Sequence, residues 1–383
     1  MSVTAAKGFL AAGVRAGLKK SGNPDLALVQ NIGPSKTAAA VFTSNRALAN
    51  PVLWSKEVIK DGILEAVVLN SGGANCYTGA QGFQTTHATA EAVADALSIS
   101  SSDVLVCSTG LIGDQLDRDK VLAGVAAAAR DLSATGGPAA AEAIMTTDSV
   151  FKQAAATGAG FTIGGMAKGA GMLAPGLATM LVVVTTDAVV SSADLDAALR
   201  EATRVTFDRL DSDGCMSTND TVTLLASGAA EVTPSLAEFT AVLTEVCHDL
   251  AMQLLTDAEG ASHDISIEVV NAASEQDAVE VGRSIARNNL FKAAIYGNDP
   301  NWGRILAAVG TTQAAFDPYD IDVFINGVRV SSKGQPDESR DLVDLKPRAV
   351  HIKLDLHAGS ATATIYTSDL THAYVTENSE YSS

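Results

Sequence analysis

The sequence predicts an α/β or α+β protein, and three observations carry that expectation. Strand-like and helix-like segments alternate along most of the 383 residues. The chain is 47% apolar but only 5% aromatic, so its core must be built from Ala, Val, Leu and Ile. A turn of the Asn-Gly type, Asn326-Gly327, divides two short apolar runs in the last third and marks a hairpin. At about 150 residues per domain the length fits one large or two ordinary domains.

Early strands are expected at Ala38–Phe42 and Ala66–Leu69, the second running into the turn Ser71-Gly-Gly-Ala-Asn75. Thr85 to Leu97 has helical composition, and Val104–Cys107 is a short apolar run that stops at Ser108-Thr109-Gly110. Asp117 to Leu132 reads as a helix with an acidic start, which Gly136-Gly137-Pro138 terminates. A glycine-dense loop over Ile163 to Met172 then feeds a β-branched buried strand, Leu177 to Val184. Ser192 can cap a helix to about Leu210, with Asp194 and Asp196 in its first turn. Ser235 and Glu238 form a capping-box pattern for a helix to about Leu255. Asp264 to Val270 alternates as a strand, and Ser274 starts a helix to about Tyr296. Ile321–Ile325 and Val328–Val330 flank the Asn-Gly turn, and His351–Leu356 with Ala361–Tyr366 are expected as a second hairpin across Gly359. Gly334 to Pro347 reads as an exposed loop. The β-rich last third would be a smaller domain.

Charge and cysteines bound the function. With 26 Lys+Arg against 44 Asp+Glu the net charge is −18, which repels phosphate backbones and argues against nucleic-acid or anionic-membrane partners. Cys76, Cys107, Cys215 and Cys247 are scattered, with no CxxC, as in a reducing compartment. Arg15 and Lys19 interrupt the first apolar run, so no export signal is read. The stretch Met172 to Val184 contains Pro175 and is shorter than the ~20 residues a membrane helix needs. A cytoplasmic protein is expected.

Several catalytic templates fail. Gly158-Ala-Gly160-Phe-Thr-Ile-Gly164 is wrongly spaced for a dinucleotide fingerprint and follows an Ala-rich stretch without a strand signal. Lys168 sits among glycines but no GK[ST] follows. The histidines form no HxxxH pair, and there is no GxSxG elbow. Asp211, Asp213 and Asp220 lack EF-hand spacing, and no metal is expected. Asn298-Asp299 with Asn301-Trp302 is a turn that packs either at a subunit contact or near the site.

Thr179 remains, opening a buried strand behind a Pro/Gly-rich loop. An internal threonine hydroxyl needs a nearby base. Cleavage of the Ala178–Thr179 bond would give Thr179 a free α-amine with an ordinary pKa of about 7.7–8.0. One residue would then supply both nucleophile and base. The same hydroxyl can make the cut by an N→O acyl shift. On strand propensity alone, Thr179 reads as a structural residue.

The block Lys168-Gly-Ala-Gly-Met172 followed by Ala178-Thr-Met-Leu181 resembles the signature of the ornithine acetyltransferase (glutamate N-acetyltransferase) family of arginine biosynthesis. In the same order come Asn70-Ser-Gly-Gly-Ala-Asn-Cys-Tyr-Thr-Gly79, Ser108-Thr-Gly-Leu-Ile-Gly113 and Ile144-Met-Thr-Thr-Asp148. Asp213-Gly-Cys-Met-Ser-Thr-Asn-Asp220 and Gly297-Asn-Asp-Pro-Asn-Trp-Gly-Arg304 complete the series. The likeness spans nearly the whole chain. It implies a layered sandwich of the N-terminal-nucleophile type over residues 1–263, cut into chains 1–178 and 179–383. A smaller α/β domain over 264–383 would carry an active-site tail.

The resemblance further implies that Thr179 takes the acetyl group from N-acetylornithine and passes it to glutamate through an ester, without an organic cofactor. Thr109 and Gly110 would form the oxyanion site. Thr146, Lys168, Thr179, Glu259, Asn378 and Ser383 would contact substrate, Lys168 suiting a carboxylate and Glu259 an ammonium. The cleaved chains would assemble as α2β2, and some members of the family also accept acetyl-CoA. Ala258 and His263 stand where the family commonly has glycine and lysine, and Gly176-Leu177 replaces Asn-Met before the cut. Two other readings are a self-processing aminopeptidase or amidohydrolase, in which water replaces glutamate, and a catalytically silent amino-acid-binding protein.

Overall fold

The computed structural model describes residues 2–174 and 180–380. From the N-terminus run β1 (Phe9–Val14), β2 (Leu26–Asn31), β3 (Thr37–Phe42), α1 (Asn50–Val58), β4 (Ala66–Asn70), α2 (Gly79–Leu97), β5 (Val104–Ser108), α3 (Arg118–Asp131) and α4 (Gly137–Ala143). The middle of the chain adds β6 (Lys152–Thr157), β7 (Thr162–Lys168), β8 (Leu181–Thr186), α5 (Ser192–Val205), β9 (Thr221–Ala226) and α6 (Leu236–Thr256). The last third contributes β10 (Asp264–Ala272), α7 (Glu275–Ala286), α8 (Asn289–Tyr296), α9 (Trp302–Val309), β11 (Asp322–Ile325), β12 (Val328–Ser332), β13 (Gln335–Pro336), β14 (Ala349–Asp355), β15 (Ala361–Ser368) and α10 (His372–Glu380).

Two sheets, ordered β1-β2-β4-β5 and β3-β9-β8-β7-β6, stack face to face. The alternation of side chains along each strand decides which layer each residue joins. On β8, Leu181 and Val183 point between the sheets, where they meet Val67, Leu69, Leu105 and Cys107 of the other sheet. Val182 and Val184 point the other way, against Leu195 and Leu199 of α5 and Leu243 and Leu250 of α6. The outer face of the first sheet is covered by α2 and α3 through Ala90, Val93, Val121 and Val125. The result is a helix–sheet–sheet–helix sandwich, the layered mixed α/β architecture expected from the sequence. A strand buried on both faces must be apolar throughout, which is why Leu181 to Val184 reads as an unbroken run.

A third sheet, ordered β13-β12-β11-β14-β10-β15, lies wholly between residues 322 and 368 apart from β10. The helices α7 and α9 pack on it through Val281, Ile285, Ile305 and Val309. It joins the sandwich at the Leu210–Tyr366 bridge and the 2.8 Å bond from Asp211 N to the Tyr366 carbonyl.

Several local signals act as read. Asp117 caps α3, and Ser235 Oγ accepts the Glu238 amide at 3.2 Å. Asn326 and Gly327 both adopt positive φ, 47° and 86°, as a two-residue hairpin turn requires. Other expectations fail for identifiable reasons. His351–Leu356 and Ala361–Tyr366 form no hairpin: β10 inserts between them, parallel to β14 and antiparallel to β15. Gly136-Gly137-Pro138 does not end a unit but opens α4, with proline in its first turn. The first half of the glycine-dense "loop" is strand β7. A Cβ on its Gly164 would stand 2.2 Å from the Ser2 carbonyl oxygen, so glycine there serves close backbone approach. The Ala-rich stretch before it is strand β6, and the helix from Ser274 breaks at Asn288, which caps α8. Of the strand expected over Leu177 to Val184, positions 177–179 lie outside the described residues. Among those described, no helix is long and apolar enough to cross a membrane.

Candidate active site

The strand register assembles the site. Lys168, the last residue of β7, pairs with Leu181, and Leu181 pairs on its other side with Thr221. The chain just before Leu181 therefore lies between the ends of β7 and β9. From the facing sheet, β4 and β5 deliver Asn70 and Ser108 in register, so Thr109 and Gly110 follow immediately at the same end. Asn219 pins the two sheets together there: its side-chain amide donates to the carbonyls of Ala74 at 2.6 Å and Ser108 at 2.8 Å.

Lys168 is 1% exposed, and its Nζ donates to Thr109 Oγ1 at 3.2 Å. With a cation on one lone pair, the Thr109 hydroxyl keeps its own hydrogen for another acceptor. Gly110 has φ of 130°, and a Cβ there would meet Gly73 N at 2.8 Å, so the turn demands glycine. Burial pulls the Lys168 ammonium below its ordinary value, and Asp148 opposes that pull. Asp148 is itself an organising centre. Its Oδ1 accepts from Gly169 N at 2.7 Å and from Lys152 Nζ at 2.7 Å, while Oδ2 accepts from Thr146 N at 2.9 Å. Burial alone would push its carboxyl up, but Lys168 and Lys152 outweigh that and hold it below the usual range.

Glu259 follows α6, and its amide donates to the Ala170 carbonyl at 3.0 Å. A Cβ on Gly171 would stand 2.4 Å from Glu259 Oε2, so this carboxylate lies directly against the Gly171 backbone. Asn378 Nδ2, on α10, donates to Glu259 Oε2 at 2.9 Å, which brings the C-terminal segment onto the same wall. Thr146 and Gly110 share a cavity of about 470 Å³ with Lys19 and Gly72. Lys19 donates to the carbonyls of Pro24 at 2.9 Å and Met145 at 2.7 Å.

The residues named from the sequence thus fall into one connected group: Thr109, Gly110, Thr146, Lys168, Glu259 and Asn378. Ala178, Thr179 and Ser383 lie outside the described residues. Sequence reading missed Asp148, Lys152, Asn219 and Asp220. For Asp148, Asn219 and Asp220 the available signal was their place inside the blocks 144–148 and 213–220, whereas Lys152 lies outside both. Asp211, Asp213 and Asp220 do separate jobs: Asp211 pairs with Arg287 at 2.7 Å, Asp213 accepts Met172 N at 2.6 Å, and Asp220 accepts Met180 N at 3.0 Å. His263 is fixed by Asp369 at 2.7 Å and the Leu345 carbonyl at 2.9 Å, so it braces the start of the terminal segment. Asn298–Asn301 forms the turn between α8 and α9, where Asn301 Nδ2 donates to Asp299 at 3.0 Å.

Comparison with known proteins gives a consistent result. Over its full length the chain is 64% identical to the arginine biosynthesis bifunctional protein ArgJ of Streptomyces avermitilis, covering 100% of both. It is 55% identical to that of Mycobacterium leprae, covering 100% of this chain and 96% of the relative. Among solved structures, an ornithine acetyltransferase from Mycobacterium tuberculosis complexed with ornithine is 55% identical over 47% of this chain and 96% of that one, with a TM-score of 0.44. The ArgJ family profile matches residues 10–383, and the chain belongs to the ArgJ family.

Proposed function

We propose that this ArgJ-family enzyme transfers the acetyl group of N2-acetylornithine to glutamate, with Thr179 as nucleophile after self-cleavage at Ala178–Thr179. The observation that carries this reading is the buried Lys168–Thr109 contact beside Gly110, at the strand ends that flank the entry of β8. In the first half-reaction the Thr179 hydroxyl attacks the acetyl carbonyl and its proton passes to the Thr179 α-amine. The tetrahedral oxyanion is met by the Thr109 O–H and the Gly110 N–H. The α-ammonium returns the proton to the departing nitrogen, ornithine leaves, and acetyl-Thr179 remains. In the second half the glutamate amine attacks that ester and passes a proton to the neutral α-amine, and the threonine oxygen leaves with that proton from the resulting α-ammonium, which gives ping-pong kinetics.

Substrate recognition follows from charge: Lys168 and Thr146 meet the α-carboxylate, Glu259 the side-chain ammonium, and Asn378 with Ser383 closes the pocket from the C-terminus. The relatives' description as bifunctional supports a second donor, acetyl-CoA, because both donors would load the same Thr179. The cleaved chains, 1–178 and 179–383, stay associated as α2β2 in the cytoplasm. Residues 1–263 form the catalytic domain and 264–383 the smaller one, in keeping with the third sheet beginning at Asp264.

The test is an acetyl balance. With N-acetylornithine and glutamate, ornithine and acetylglutamate should appear in equal amounts while glutamate suppresses free acetate. Steady acetate without acetylglutamate would identify a hydrolase instead. Thr109→Val, which keeps the shape and removes the hydroxyl, should lower kcat about 100- to 1,000-fold with little change in KM; steady-state kinetics of the processed variant check this.

A further inference from the structure

We propose that Asp220 is a positioning residue for the Thr179 nucleophile, acting through the Met180 amide as a neutral, hydrogen-bonded acid. The proposal rests on the transferase reading above.

Asp220 is fully buried at the start of β9. Its Oδ1 accepts from Met180 N at 3.0 Å, the amide that joins Met180 to residue 179. The Met180 carbonyl accepts in turn from Thr221 N at 3.2 Å, so the chain directly after the nucleophile is clamped by two consecutive residues of the neighbouring strand. Oδ2 is buried and has no hydrogen-bond partner. A dry, unpartnered carboxylate oxygen is costly when ionised, whereas a carboxylic acid is tolerated there. The charged groups that face it are Lys168 on β7, already engaged by Thr109, and Asp208, whose like charge disfavours ionisation. The nearby Ser217 hydroxyl and the Met180 amide favour the charged form, but no bond to Oδ2 meets hydrogen-bond geometry and burial outweighs both. Burial pushes the Asp220 carboxyl well above its ordinary value, in agreement with this geometry.

A neutral acid has a specific use at this place. The α-amine of a liberated Thr179 is separated from the Met180 nitrogen only by its own Cα and carbonyl carbon. An ionised carboxylate on that amide would stabilise the amine as ammonium, which cannot accept a proton. The un-ionised acid anchors the amide without adding that charge.

The experiment compares full-length wild type, Asp220→Ala, Asp220→Asn and Thr179→Ala. Self-cleavage is followed by intact-mass spectrometry, steady-state kinetics by product formation, and the un-ionised acid by its infrared carbonyl stretch at neutral pH. Asp220→Ala should slow cleavage and lower kcat about tenfold or more, with KM for N-acetylornithine within about twofold. Asn mimics the neutral acid, so Asp220→Asn should rescue both rates to within about threefold of wild type. The infrared band should be present in wild type and missing from Asp220→Asn. Normal rates in Asp220→Ala, an Asp220→Asn variant as slow as Asp220→Ala, or an absent band would each overturn the proposal. Should Asp220→Ala fail to fold, the Asn variant and the band decide. Cleavage persisting in Thr179→Ala would sink the transferase reading itself, whereas an uncut Thr179→Ala beside a normal Asp220→Ala would refute only the role of Asp220.

Discussion

Thr179→Ala should leave the chain as a single polypeptide of full-length mass and lower acetyl transfer by roughly 10^5-fold or more. The size of the effect follows from one residue serving two purposes. Its hydroxyl is the only group in the scheme that forms the ester, and its α-amine exists only if that hydroxyl first attacks the preceding carbonyl. Alanine removes both, so no partial function is left for the oxyanion donors to assist. Thr179→Ser keeps the hydroxyl and should still cleave. The checks are intact-mass spectrometry for processing, product formation for transfer and a cooperative thermal melt to show that the fold persists. Two chains in the alanine variant, or transfer by an uncut chain, would require a different nucleophile.

The parts of the molecule that sequence makes legible are those set by neighbours along the chain. The Ser235 cap and the Asn326-Gly327 turn depend on a few adjacent residues, and each forms as read, although the Glu238 carboxylate accepts from Ala159 N and does not close the capping box. The β8 run was legible because a strand covered on both faces has no polar alternation to hide it. Failures came where a distant segment decides. Nothing between His351 and Tyr366 reveals that β10, some eighty positions earlier, slots between the two strands. β6 escaped because its alanines carry little strand propensity and its first residue is a lysine, which is ordinarily exposed.

The site shows the same division. Thr109, Gly110 and Lys168 could be placed through the family resemblance, and strand register then explains why they meet. Asp148 and Asp220 could not be distinguished in the sequence from surface carboxylates. Their burial is completed by partners far away in the chain: Asp257, which shares the nearby Lys152 with Asp148, and Met180 beside Asp220. Residue type alone does not separate a buried acid from a solvated one when a distant segment, here the ones carrying Asp257 and Met180, completes its environment.

Lys152→Met should cost about 3–5 kcal/mol of stability and weaken the site at the same time. Lys152 is 0% exposed and donates to Asp148 at 2.7 Å and to Asp257 at 2.6 Å. Methionine keeps most of the volume, so the loss is electrostatic: two nearly buried carboxylates are left facing one another without the cation between them. In the wild type Asp148 titrates below its ordinary value, so its contribution to stability is present above the unfolded pKa of about 4 and disappears as the pH falls through the folded value. In the variant the cation is gone, and protonation relieves the strain instead. The stability gap between wild type and Lys152→Met, measured by urea unfolding, should therefore be widest near neutral pH and narrow towards pH ~4. Because Asp148 also holds the amides of Thr146 and Gly169, the folded fraction of the variant should show a raised KM for N-acetylornithine. A gap that does not change with pH would mean that Lys152 stabilises by packing alone, and the carboxylates around it would then have to find other partners.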